Sequence, residues 1–145
     1  MINMLAITEA TSIAIHLCVR LTQTGEKFYS TRKVAEEFDL SVHHLAKVVQ
    51  KLVKAGILES SRGGQGGVRL LKPKEELSVF DLNMAVVEFE TGACLLDPKI
   101  CPGCTCALGK WMAAEIKKIH DVLQQITIKK IVDSLRTDPS VLNVE

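Results

Sequence analysis

Four of the five cysteines in this 145-residue chain fall within thirteen residues: Cys94, Cys101, Cys104 and Cys106. Thiolates at that density suit an iron–sulfur centre or zinc, and four of them could close a site within one chain. The Cys101-x-x-Cys104 pair with Cys106 also has the spacing of a zinc knuckle. Cys101 and Cys104 alone could serve as a dithiol switch. Spacing does not separate the three chemistries. Two prolines and two glycines between Glu90 and Leu108 keep the stretch out of regular structure. The fifth cysteine, Cys18, falls on an apolar helical stripe and reads as a small core residue.

Length and composition bound what can carry this loop. A chain of 145 residues with 47% apolar and 24% charged residues is one globular unit able to bury a core without disulfides. No apolar run approaches the roughly 20 residues of a membrane span, and the N-terminus has no secretory pattern. The expected place is the cytoplasm, where clustered cysteines favour metal or redox chemistry over structural bridges.

The net charge of +1 is unevenly spread. Residues 41–74 hold Lys47, Lys51, Lys54, Arg62, Arg69, Lys72 and Lys74 against Glu59 alone, a net of +6, while the flanking segments are net negative. A concentrated positive segment is the footprint of a phosphate-facing surface.

Apolar spacing predicts a first helix over 7–21, started by Thr8 or Asn3 and ended by Gly25. Ser30 opens a short second helix with Val34, Ala35 and Phe38 inward, and its hydroxyl can cap the first turn. Asp39 sits at a tight turn. Ser41 caps a third helix over 42–55, with Leu45, Val48, Val49, Leu52 and Val53 inward and Gly56 at its end. Two short helices with a tight turn make a helix-turn-helix. Two strand-like runs, 57–60 and 68–71, then bracket the glycine-rich tip 61–67, which is a β-hairpin in the position of a wing. That tip lacks the Gly-Lys-Ser/Thr ending of a P-loop.

Ser78 starts a helix through Phe89. A long helix from Ala107 carries an apolar stripe of Leu108, Trp111, Met112, Ile116, Ile119, Val122, Leu123 and Ile126, and Thr127 caps a short last helix. So apolar a stripe on so small a unit is expected to pack against a second copy in a symmetric homodimer. His16 and His120 read as isolated helix-surface residues. The expected fold is mainly α with a small hairpin wing. Residues 1–78 form a winged helix-turn-helix, 79–106 a linking helix and cysteine loop, 107–136 the dimerisation region and 137–145 a tail.

Leu40-Ser41-Val42-His43-His44-Leu45-Ala46-Lys47-Val48-Val49, then Ala55-Gly56-Ile57-Leu58, Ser61-Arg62-Gly63 and Gly66-Gly67-Val68-Arg69-Leu70, resemble the Rrf-type winged-helix transcriptional regulators. The resemblance runs from Ile7 to about Leu135 and looks closest to the NsrR/IscR iron–sulfur branch. It implies a cluster, [2Fe-2S] or [4Fe-4S], held by Cys94, Cys106 and a middle ligand. The branch's two gaps are usually about equal. Here they differ, and Cys104 competes with Cys101. Ile7-Thr8-Glu9 looks like the family's aromatic-Thr-Asp, which makes Glu9 the candidate fourth ligand, given to the partner subunit's cluster.

The implied function is a regulator, a repressor in the first instance, that binds double-stranded DNA at an inverted repeat. Its affinity would be switched by a cluster sensing nitric oxide, redox state or iron. Ser41, His43, His44 and Lys47 are the expected contacts from the recognition helix, and Arg62, Gly63, Gly64, Gly66 and Gly67 those from the wing. Lys51 and Arg69 are secondary candidates, whose alternative role is to add only to the field. The alternative is a cluster-free, zinc or dithiol winged-helix regulator acting through a partner protein or small ligand. An enzyme is not expected: no βαβ pattern frames the Cys-x-x-Cys pair.

Overall fold

The structure, a computed structural model, describes residues 7–25, 27–61, 66–87 and 107–137. Its elements in order are α1 (Glu9–Thr24), α2 (Thr31–Glu37), α3 (Val42–Lys54), β1 (Leu58–Ser61), β2 (Gly67–Leu70), α4 (Val79–Val86), α5 (Ala107–Gln125) and α6 (Ile128–Thr137). It is mostly helical, with one antiparallel hairpin in which Leu58 faces Leu70 and Ser61 faces Gly67.

Helix α1 is the spine. Thr8 caps it, its hydroxyl accepting the Thr11 amide, and Gly25 ends it in the left-handed region. One face of α1 buries Ile13, Ala14, Leu17, Cys18 and Leu21, and the helix packs against α3, α4, α6 and β2. A single hydrophobic cluster runs from Ile13 through Leu45, Leu52, Val68 and Leu82 to Val132.

The helix-turn-helix is built by local chemistry. Helix α2 ends in a Schellman motif: the Leu40 amide donates to Ala35 O at 2.8 Å and that of Asp39 to Glu36 O at 3.4 Å, with Asp39 at φ 51°. Two residues later Ser41 caps α3. The end of α3 repeats the motif. Gly56 takes φ 71°, and the Ile57 amide returns to Leu52 O at 3.0 Å. Ile57 and Leu52 are both buried there, which turns the chain directly into β1.

Two expectations change. Ser30 precedes α2, but its hydroxyl makes no capping bond; the first turn is closed by its carbonyl, which accepts the Val34 amide at 3.2 Å. Helix α4 ends at Val86, not at Phe89. Val87 is extended, at φ −90° and ψ 130°, a conformation to which β-branched residues are well suited; Phe89 lies outside the described residues. The last helix, α6, turns one face inward. Ile128 and Val132 are buried in this chain's own core, against α1.

A polar pair is buried between α1 and α4. Thr11 Oγ1 of α1 donates to Asn83 Oδ1 of α4 at 2.7 Å, with both residues buried. Ser78 and Asp81 form a full capping box at the start of α4.

Helix α5 keeps one apolar face uncovered. At about 100° per residue, Ile116, His120 and Leu123 share one side and are half-buried, and His120 meets the Phe80 ring edge-on at 5.0 Å. Trp111, Ile119 and Val122 lie on the adjoining side and are 61%, 37% and 55% exposed. No helix among the described residues is long and apolar enough to cross a membrane.

Candidate nucleic-acid interface and cysteine loop

Helix α3 presents the residues that the sequence assigns to DNA. Ser41 and His43 are exposed at its start, His44 is half-buried, and Lys47 is exposed one turn on. The Ser41 hydroxyl accepts the His44 amide at 3.5 Å, so the same side chain starts the helix and stands at the candidate surface. Gly66 and Gly67 are half-buried at the entry to β2. Arg62, Gly63 and Gly64 lie outside the described residues.

The positive segment divides into cations spent on the fold and cations left to solvent. Arg69 bonds Glu59 across the hairpin, Nε to Oε2 at 2.6 Å, and lies over the Phe28 ring at 5.0 Å. Lys72 bonds Asp81 at 2.9 Å. Lys51 donates to Val86 O at 2.9 Å. Burial pushes the Asp81 carboxyl up, but the bonds from Lys72 and from the Ser78 amide and hydroxyl outweigh it and hold it below the usual carboxylate range. Lys47 and Lys54 are exposed on α3 with no ion pair to any described residue. Among the described residues of the segment, Lys47 and Lys54 on α3 are thus the exposed cations.

The Lys51 bond has a second meaning. The last carbonyls of a helix lack intrahelical partners and attract cations. Lys51 supplies that cation from the recognition helix, at the point where α4 delivers the chain towards Cys94.

Glu9 and His44, assigned to different jobs by sequence, meet within one chain. His44 Nδ1 lies 3.8 Å from Glu9 Oε1, beyond hydrogen-bond distance but close enough for charge to act when the imidazole is protonated. Beside them Glu9, Ser12, Ile13, His16, Phe38 and Leu40 line an open depression of about 310 Å³. His16 is not isolated: its Nδ1 is 2.7 Å from Ser12 O, and its ring meets that of Phe38 edge-on. Helix packing that no local pattern announces brings these residues together.

Cys94, Cys101, Cys104 and Cys106 lie outside the described residues. Cys18 is fully buried and its thiol is pushed up to about 12 by that burial, so it stays a protonated core residue and is no ligand. Among the described residues no group of three His, Cys, Asp or Glu could hold a metal. The four thiols between α4 and α5 in the sequence are soft donors of the kind that fits an iron–sulfur centre.

Residues 7–134 match the family model of Rrf2, the iron-dependent transcriptional regulators. The chain belongs to the Rrf2 family. It is 32% identical over 143 residues to the HTH-type transcriptional regulator NsrR of Shouchella clausii, covering 90% of this chain and 92% of that protein. Among solved structures it is similar to the oxidised form of Staphylococcus aureus CymR, at 26% identity, with 88% of this chain and 96% of that one covered and a TM-score of 0.69. It shares its fold with the T. potens IscR, at 23% identity, 97% and 94% coverage and a TM-score of 0.70. This Rrf2 protein is therefore a winged-helix, DNA-binding transcriptional regulator and not an enzyme.

Proposed function

We propose that this Rrf2 protein binds an inverted-repeat operator as a homodimer and that an iron–sulfur cluster at the cysteine loop sets its operator affinity. Cys94 and Cys106 would hold the cluster with Cys101 or Cys104, and Glu9 of the partner subunit would be the fourth ligand. Nitric oxide, oxygen and iron shortage all act on such a centre, which supplies the chemical sensitivity. In this division residues 1–78 read DNA, 79–106 sense and 107–136 pair the copies. One core runs through the first and last of these, so the division is of roles and not of separate cores.

The place of the loop in the sequence, between α4 and α5, supports this reading. It leaves α4 one residue after the carbonyl that Lys51 of the recognition helix holds, and it enters α5, whose Trp111, Ile119 and Val122 are uncovered. A change in the loop thus acts on the ends of two helices, one bonded to the reading helix and one carrying the free apolar face. A switch requires that the two states differ in affinity for DNA. Ser41, His43, His44 and Lys47 would face the major groove, and Arg62, Gly63, Gly64, Gly66 and Gly67 the backbone or minor groove.

Anaerobic purification with an absorption spectrum and counts of iron and acid-labile sulfide tests the proposal. Sulfide matching iron supports it, with loss of the spectrum in Cys106→Ala. A colourless protein with zinc, or with no metal and reversible thiol oxidation, leaves the DNA reader standing and moves the switch to a zinc site or dithiol.

A further inference from the structure

The wing has only two strands of its own, and a two-stranded hairpin is marginal alone in water. Tyr29 supplies a third partner from the far side of α2. Its amide donates to Val68 O and its carbonyl accepts the Val68 amide, both at 2.9 Å. The approach depends on Gly67. A Cβ there would stand 2.2 Å from the Tyr29 carbonyl oxygen and 2.5 Å from its carbon, and backbone atoms cannot rotate away.

The Tyr29 side chain is buried and is held in turn. Its hydroxyl donates to Glu37 Oε1 of α2 at 2.5 Å. Arg20 of α1 grips the same carboxylate with a fork, Nε to Oε2 at 2.8 Å and Nη2 to Oε1 at 3.0 Å. Arg20 Nη2 also lies 3.3 Å from the Tyr29 hydroxyl. The Arg20 guanidinium and Lys33 ammonium lie 5.6 and 5.7 Å from the Tyr29 ring centroid. The Arg20 fork, then the tyrosine hydroxyl, hold the Glu37 carboxyl below its usual range, and the bond to Glu37 raises the Tyr29 hydroxyl, which stays a donor at neutral pH. Tyr29 thereby adds a polar tie from the wing to α1 and α2, the helices that pack on α3, beside the apolar packing of β2 on α1 and of β1 on α3.

We propose that Tyr29, Glu37 and Arg20 form a positioning centre that fixes the angle between wing and recognition helix and so sets operator affinity without touching DNA. The inference rests on α3 and the wing being the reading surfaces. A hairpin free to rock on α3 meets the backbone in the right place only part of the time, and affinity falls by that fraction. No phosphate contact is lost, so the salt dependence stays the same.

Tyr29→Phe and Glu37→Gln in the full chain test this, with hydrogen exchange and with anisotropy on a labelled duplex that the wild type has selected from random-sequence DNA. Exchange at the Tyr29 and Val68 amides should quicken by at least about tenfold, the low end of the worth of one hydrogen bond to a charged group. Exchange at Leu45 to Leu52 of α3 should not change. Operator affinity should fall by about threefold to tenfold, the range of an ordinary hydrogen bond, with an unchanged slope against salt. Unchanged protection at Val68 would overturn the inference, and so would lost protection with unchanged affinity, which marks a purely structural cluster. A slope reduced by about one per head would mean direct phosphate contact and overturn it as well. A wild type that selects no duplex removes the DNA-reading assignment itself and this inference with it, an outcome seen before any variant is made.

Discussion

Lys47→Ala and Lys72→Ala remove the same charge from the same positive segment, and the structure gives them different outcomes. Lys47 stands exposed on α3 with no ion pair to any described residue. Lys72 is committed to Asp81 at 2.9 Å, behind the capping box that starts α4. Each phosphate that a lysine neutralises contributes about 0.9 to the slope of log affinity against log salt. With one recognition helix per subunit, Lys47→Ala should lower the slope of a dimer by about 1.8 on that scale. Between 50 and 200 mM salt, a fourfold range, that slope corresponds to about a twelvefold change in affinity. Lys72→Ala should leave the slope unchanged and lower the melting temperature instead. Anisotropy titrations of the selected duplex at four salt concentrations read both values. Equal slope losses in the two variants would refute the division into structural and DNA-facing cations.

Further outcomes follow from the same contacts. Thr11→Val leaves Asn83 Oδ1 buried without its donor and should cost about 1–3 kcal/mol, read as a lower denaturant midpoint; an unchanged midpoint would show that the Thr11–Asn83 bond contributes nothing. Val122→Asp places a charge on the uncovered α5 face and should shift sedimentation of the proposed homodimer to monomer with little change in melting temperature. Glu37 has a depressed carboxyl, so its bonds to Arg20 and Tyr29 contribute stability above the ordinary glutamate value of about 4.3. That contribution is lost as pH falls through the lower folded value. Glu37→Gln should therefore flatten the acid limb of a midpoint-against-pH curve, and a curve parallel to wild type would contradict the assignment.

Much of the reading head was legible in the sequence because it is made by local chemistry. Asp39 and Gly56 adopt the left-handed turns their types suit, Ser41 caps α3, and the glycine-rich stretch separates two paired strands. The misread features depend on packing. Apolar periodicity carried α4 on to Phe89, whereas Val87 takes an extended backbone. Thr11 and Asn83 are 72 positions apart, and only the seating of α1 on α4 pairs them. Lys51 and Arg69 looked like contributors to a field because their partners, a backbone carbonyl and a cross-strand glutamate, carry no signal at fixed sequence distance. Tyr29 gave no sign of its role, since a single residue pairing with Val68 has no alternation to betray it. Glu9 and His44 were each singled out, but not their meeting, which arises from the crossing of α1 and α3.

The central claim is that the state of the cysteine loop sets operator affinity. Anisotropy on the selected duplex, with one anaerobic preparation measured before and after nitric oxide removes its visible spectrum, tests it most directly. Binding should be tight before and at least about tenfold weaker after, a difference of about 1.4 kcal/mol, with iron and sulfide present in equal amounts at the start. Equal affinity in the two states would contradict it.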